Sequence, residues 1–179
     1  MLNNLAQNNT KECILYNNIL LLSRSKIFYT KFGLYDTFQN RIHLIFLHIS
    51  FLFIKIRKDM KNKKYKDFYQ KVFDLIFNKI ELNMREIGYG DTVINKKMKL
   101  LVKSFYNILL FCENYTSNNV QNKNSFLFKY LTKNTDKKDA DNTNLVEYFD
   151  RYQAFCFDLS QDSVLKGDLN FNIERIKNL

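Results

Sequence analysis

Apolar residues recur with helical spacing along most of the chain. The clearest stripe begins at Tyr65, and further apolar residues follow at offsets of 3, 4, 7, 8, 11, 15 and 22 positions, ending at Ile87. This is the repeat of one face of an α-helix. The same rhythm runs from Met98 to Cys112. Only residues 88–91 (GYGD) lie at the turn between the stripes, and so short a connection predicts two near-antiparallel neighbouring helices.

Two more helices are predicted nearer the start of the chain. Thr10 is a suitable N-cap for a helix that continues toward Phe28. The next helix has good caps in Asp36 and Thr37 and extends to about Arg57. Its apolar residues occupy all of its faces, so other helices must surround it. We therefore expect it to be the buried central helix of the fold.

The remaining pattern completes the helix count. A shorter helix is predicted over 126–131 and a last one over 145–159, while the polar run 134–144 (NTDKKDADNTN) is typical of a loop. The pattern after residue 159 does not decide between an ordered tail and a flexible arm. Together these segments predict an all-α, single-domain bundle of about six helices over 1–179, with residues 1–9 frayed.

Composition excludes several alternatives to this fold. The chain has 179 residues, 46% of them apolar, which is enough for one sizeable core. It has four Gly and no Pro, so the turns that β-sandwiches and barrels need are scarce. The apolar run 42–56 is shorter than the roughly 20 residues of a membrane-spanning helix, and it contains histidine, serine and lysine. We therefore expect a buried helix there.

Charge points to anionic partners. The formal net charge is +10, and residues 1–133 hold 22 Lys and Arg against 9 Asp and Glu. A basic body of this kind favours nucleic acid, a lipid surface or an acidic protein. Two regions concentrate the charge: the segment 55–66 and the fourth predicted helix, with Lys96, Lys99 and Lys103. Charge alone does not choose among the partners.

Catalytic and metal chemistry find little support. His43 and His48 are the only histidines, and five residues apart they point about 140° away from each other on a helix, too far to share a metal. The three cysteines are scattered, and no nucleophile, base and orienting group occur together. We therefore predict no enzyme, no metal and no cofactor.

The glycine-containing turn at residues 88–91 has two interpretations. It is able to form an anion-binding nest before a helix N-terminus, with Lys96 and Lys97 close by. Alternatively Gly88 closes one helix, and Asp91 or Thr92 caps the next.

Three stretches together resemble the ubiquinol-cytochrome c chaperone family. The first is residues 29–33 (YTKFG) followed by Asp36, Thr37 and Arg41; the second is Leu47 and His48 in a helix that continues to Lys55 and Arg57. The third is residues 84–91 (MREIGYGD) followed by 96–99 (KKMK) and 104–106 (SFY), which resembles the family pattern REMGxGD, KKxK, xFY. The order is that of the family, and the chain looks like a bacterial-type member without the long N-terminal extension of mitochondrial forms.

The resemblance implies an all-α fold and a non-enzymatic assembly factor that binds newly made cytochrome b during assembly of respiratory complex III. It implies a protein peripheral to the inner membrane on its cytoplasmic side, or on the matrix side if mitochondrial. A small partner assembly protein or the ribosome are further implied contacts, and no small-molecule substrate is expected. The family-type positions are Arg41, His48, Arg85, Gly88, Gly90, Asp91, Lys96 and Lys97. The alternative is a basic helical protein that binds nucleic acid, such as ribosomal RNA.

Overall fold

The apolar stripes become helices throughout the residues that the computed structural model describes, which are 10–57, 61–131, 143–167 and 169–171. These residues form α1 Lys11–Ser23, α2 Ile27–Thr30, α3 Phe38–Arg57, α4 Lys63–Glu86, α5 Asp91–Glu113, α6 Val120–Tyr130, α7 Thr143–Asp158 and α8 Gln161–Lys166. A 3₁₀ turn, Tyr115–Ser117, precedes α6. No strand occurs among them, so the all-α prediction is confirmed. The predicted frayed residues 1–9 and most of the predicted loop 134–144 lie outside the described residues.

The six longer helices correspond to the six predicted ones, and the short α2 and α8 are additional. Two caps agree with prediction: the Thr10 hydroxyl accepts from the Cys13 amide, and the Thr37 hydroxyl accepts from the Asn40 amide. The predicted end of the first helix near Phe28 is wrong, since α1 ends at Ser23. There the serine hydroxyl donates to carbonyl oxygens one turn back, at 2.9 and 3.1 Å, an alternative bonding pattern that favours helix interruption.

The helix α3 lies at the centre, as predicted. Fourteen of its 20 residues are buried, and α1, α4, α5, α7 and α8 all pack against it. Its burial explains why apolar residues occupy every face. Among the described helices, none combines the length and the apolar content needed to cross a membrane.

Aromatic rings join α3 to the α4 and α5 pair. The ring of Phe105 on α5 has its centroid 5.3 Å from Phe46 and 6.0 Å from Phe53 on α3. It also lies 5.4 Å from Phe73 and 5.8 Å from Phe77 on α4. All four contacts are edge-to-face, the arrangement that the ring quadrupole favours. The two apolar stripes predicted for α4 and α5 therefore meet at one ring.

The fifth helix begins earlier than predicted. Periodicity indicated 126–131, but α6 is Val120–Tyr130. Its first half is polar and shows no stripe, and the start is fixed by the Asn119 side chain, which accepts from the Asn122 amide at 2.8 Å. The helix is tied to α3 where His43 Nδ1 lies 2.6 Å from the Tyr130 carbonyl oxygen.

The start of the tail is ordered against the bundle. Asn18 of α1 donates from Nδ2 to the Gly167 carbonyl oxygen at 2.6 Å. A Cβ at Gly167 would lie 2.8 Å from the Leu15 amide nitrogen, so the chain approaches α1 too closely for any side chain. The Phe171 ring then packs 5.1 Å from Tyr152. Residues 172–179 lie outside the described residues.

Candidate functional site

A cleft of about 210 Å³ opens between α1, α3 and α4. Its lining comes from Tyr16, Leu20, Ser23 and Arg24 of the first helix and its end, Phe38, Arg41, Ile42 and Ile45 of α3, and Ile80, Asn83, Glu86 and Ile87 at the end of α4. Arg41 belongs to the first predicted motif stretch, and Glu86 and Ile87 belong to the third. Folding thus brings two segments that are more than 40 residues apart to the walls of one cleft.

The cleft has an apolar floor and a charged rim. Isoleucines from α3 and α4 supply most of the floor, while Arg24, Arg41 and Glu86 supply the charges. Arg24 has no carboxylate within ion-pair distance among the described residues, so its guanidinium is available to a ligand. The burial of Tyr16 beside it raises the pKa of that phenol, which therefore stays neutral. The cleft suits an apolar group followed by an acceptor or a negative charge.

Arg41 is held in place by a bidentate ion pair. Its Nε lies 2.6 Å from Asp36 Oδ1, and its Nη2 lies 2.7 Å from Asp36 Oδ2. This hydrogen bonding holds the pKa of the Asp36 carboxyl below its usual value. Asp36 and Arg41 are both in the predicted motif stretch, and their contact fixes the guanidinium at the cleft rim.

The connection after α4 is a Schellman turn built on Gly88. The Tyr89 amide donates to the Met84 carbonyl at 3.1 Å, and the Gly88 amide donates to the Arg85 carbonyl at 3.0 Å. Gly88 has φ 96°, a conformation that other residues adopt only with strain. The interpretation that Gly88 closes the helix is therefore confirmed. These two amides are engaged in closing the helix and so are not available to the alternative anion-binding nest.

Gly90 occupies a different kind of position. It is the N-cap of α5 with φ −73° and ψ 156°, and a Cβ there would meet nothing within 4 Å. The prediction that Asp91 or Thr92 caps this helix is wrong, since Asp91 is already its first residue. No side chain supplies the cap hydrogen bond. Local structure thus gives no reason for a glycine here, where serine or asparagine would cap better.

Arg85 braces the turn from outside. Its Nη1 lies 2.5 Å from Asp91 Oδ1, and its Nη2 lies 2.9 Å from Glu81 Oε1. Hydrogen bonds to Glu81 first, and to Asp91 second, raise the pKa of the guanidinium. The three exposed side chains link the last turn of α4 to the first turn of α5. They also orient the chain at Ile87, on the cleft wall.

His48 is not at the surface. It is fully buried, with Nδ1 2.6 Å from the Leu44 carbonyl oxygen and Nε2 2.7 Å from the Tyr148 hydroxyl oxygen. Burial lowers its pKa to about 4, so the ring is neutral at physiological pH. The Tyr148 hydroxyl donates to a ring nitrogen and ties α7 to α3. This family-type residue therefore acts in packing.

The two motif lysines point to different surroundings. The Lys97 ammonium lies 5.1 Å from the centre of the Tyr89 ring, so this lysine contacts the turn between α4 and α5. Lys96 instead borders a shallow exposed surface with Thr92, Asn95, Lys99 and Leu100. The structure thus groups Arg41 with the residues at the end of α4, and Lys97 with the turn. It leaves His48 in the core and Lys96 on the outside of α5.

Two cleft residues were not found from the sequence. Ile87 is the last member of the apolar stripe of α4 and was expected to be buried, yet it is 60% exposed because it is the helix C-cap, where the chain turns away. Arg24 follows α1, and no sequence pattern around it indicates a binding site. Long-range packing of α1 on α3 and α4 brings it to the rim.

Comparison with known proteins agrees with the helical fold. A family model described as ubiquinol-cytochrome C chaperone matches residues 30–171. The crystal structure of the Cbp3 homolog from Brucella abortus has the same fold, with a TM-score of 0.76 at 22% sequence identity over 98% of this chain and 99% of that one. No curated protein matches the sequence significantly. The family match includes the cleft residues of α3 and α4, whereas the residues of the α1 wall precede the matched range.

Proposed function

Because the chain belongs to the ubiquinol-cytochrome c chaperone family, we propose that it binds newly made cytochrome b during assembly of ubiquinol-cytochrome c reductase, respiratory complex III. Membership supports a chaperone role in this assembly, and cytochrome b as the client is the proposal. The role is non-enzymatic: the protein shields an apolar segment of its client until that segment reaches its place in the complex.

One observation carries the proposal. The family-type Arg41 lines the same apolar-floored cleft as Glu86 and Ile87, which belong to the REIGYGD motif at the end of α4. Its volume of about 210 Å³ is below the ~300–1,000 Å³ of typical small-molecule sites. Apolar side chains projecting from a client helix suit such a space, and a helix laid into an apolar groove is a common mode of recognition. Arg24 at the rim would donate hydrogen bonds to a client carbonyl or carboxylate oxygen.

The working place and other partners follow from the client. A chaperone of a membrane protein acts beside the membrane, so we place this protein at the cytoplasmic face of the inner membrane, or at the matrix face if it is mitochondrial. A small partner assembly protein or the ribosome are the further contacts that the family implies. Either would bring the cleft to the client during or soon after its synthesis.

Site-specific crosslinking tests the client and the site together. A photo-crosslinking amino acid at Ile87 places the probe on the cleft wall, and the same probe at Val120, which is 52% exposed on α6, is the matched control. Cytochrome b labelled during synthesis should crosslink from position 87 and not from position 120. Equal adducts from both positions would refute the cleft as the site. No cytochrome b adduct with either folded protein would refute the client.

A further inference from the structure

The outer face of α5 combines exposed leucines with lysines. Leu100 is 57% exposed and Leu110 is 60% exposed, whereas the opposite side of the helix is buried against α3 and α4. The outermost line, which we name the α5 outer face, consists of Lys96, Leu100, Lys103, Asn107 and Leu110. All five are exposed. From Lys96 to Leu110 this face extends about 21 Å along the helix.

Between its two terminal residues, α5 carries only positive charge. Between Asp91 and Glu113 the helix has four lysines and no acidic residue. Among the described residues, no carboxylate lies within ion-pair distance of Lys96, Lys99 or Lys103. Their ammonium groups therefore remain available to anions outside the protein.

The other basic region is partly engaged within the chain. In the segment 55–66, Lys55, Arg57 and Lys64 already contact a carbonyl or carboxylate oxygen of the chain. They stabilise the junctions of α3 and α4 with their neighbours. Within the described part of the chain, the α5 outer face combines unpaired lysines with large exposed leucines.

We infer that the α5 outer face seats on an anionic lipid bilayer. Leu100 and Leu110 enter the boundary between headgroups and acyl chains, while the lysines extend along the surface to lipid phosphates. Each lysine near an anionic membrane adds attraction that salt screens, and each leucine adds burial that salt does not screen. This inference goes beyond the proposed function, because it needs no client.

The pattern favours lipid over other occupants. The residues of the α5 outer face follow spacings of four and three, which would also suit a partner helix, but three of its five members are polar, and a helix interface needs apolar ones. Nucleic acid would use the lysines and leave the leucines without a role. A fluid surface accepts both kinds of side chain at once.

The absence of tryptophan from the chain permits a direct test. Leu100→Trp gives a single-tryptophan protein, and Leu21→Trp, at a leucine 71% exposed on α1, is the matched control. With vesicles of phosphatidylcholine and phosphatidylglycerol, the emission of Leu100→Trp should shift to the blue and become protected from an aqueous quencher. Pure phosphatidylcholine should give a much weaker shift, and Leu21→Trp none. No shift, or equal shifts at both positions, would overturn the inference.

Paired variants separate lipid from nucleic acid. Leu100→Ser with Leu110→Ser, and Lys96→Gln with Lys103→Gln, should each weaken vesicle flotation of the full chain about tenfold. Lys63→Gln with Lys66→Gln removes two exposed lysines from α4 and should change it little. If the serine variant floats like the unaltered protein, and the glutamine variant loses duplex RNA and vesicles equally, the surface is a nucleic-acid site and the lipid assignment is wrong. Flotation that fails while cytochrome b still crosslinks to Ile87 would refute only this inference.

Discussion

Acidification from pH 6.5 to pH 5 should destabilise this fold chiefly through His48. In the folded protein the ring is fully buried and its pKa is lowered from 6.5 to about 4, first by desolvation. In the unfolded chain it takes up a proton as the pH falls through 6.5. Between these two values the unfolded state binds more protons, so the free energy of unfolding falls as the pH falls. The stabilising contribution is complete above pH 6.5.

The size of the effect follows from the pKa difference. One pKa unit corresponds to about 1.4 kcal/mol, so the descent from pH 6.5 to pH 5 should remove about 2 kcal/mol. That is a sizeable part of the ~5–15 kcal/mol stability of an ordinary domain. His43, whose pKa burial also lowers, adds to the loss in the same direction. Carboxyls such as Asp36, whose pKa the Arg41 hydrogen bond lowers, contribute mainly at more acidic pH.

Urea unfolding at several pH values measures this loss. His48→Phe keeps a ring in the core but cannot titrate. It should lower the free energy of unfolding at pH 7 by about 1–3 kcal/mol, because the buried Tyr148 hydroxyl loses its partner. Between pH 6.5 and pH 5 it should then lose about 2 kcal/mol less than the unaltered protein. His43→Gln is the control and should keep the His48 term. Parallel pH profiles for His48→Phe and the unaltered protein would show that His48 does not cause the loss of stability.

Further predictions concern the turn, the aromatic core and the thiols. Gly88→Ala should lower the free energy of unfolding by about 1–2 kcal/mol because φ is 96° there, whereas Gly90→Ser should leave it unchanged or raise it slightly. If urea unfolding shows equal losses of stability for the two variants, the assigned backbone geometry is contradicted. Phe105→Ala should remove about 3–5 kcal/mol by emptying the centre of four ring contacts, and a loss under 1 kcal/mol would contradict that packing. A thiol reagent should label Cys13 first, and mass spectrometry should detect labelled Cys112 and Cys156 only after unfolding, since burial raises the pKa of both thiols. Equal labelling rates for all three cysteines would contradict the burial of these two.

Periodicity predicted the long helices well because burial decides them. The stripe of α4 and that of α5 converge on Phe105, and α3 is apolar all round because five helices cover it. Where a stripe is absent, prediction failed. The polar first half of α6 is helical because a cap at Asn119 starts it, and α1 stops at Ser23 because a hydroxyl competes for the helix carbonyls.

The candidate site was only partly visible in the sequence. The family-type residues were identified from sequence motifs alone. A motif does not show whether a side chain is buried or exposed, so the motifs provided no reason to assign His48 and Arg41 different roles. The structure separates them, with His48 in the packing of α7 on α3 and Arg41 at the cleft rim. Arg24 and the exposure of Ile87 depend on how three helices meet, which no local pattern encodes.

The central claim is that this chain supports assembly of cytochrome b into complex III. Its most direct test is to remove the gene, restore it on a plasmid, and measure cytochrome b by its haem spectrum together with ubiquinol-cytochrome c reductase activity. Both quantities should fall together on removal and recover on restoration, while other respiratory enzymes keep their activity. Unchanged cytochrome b and unchanged reductase activity in the deletion strain would contradict it.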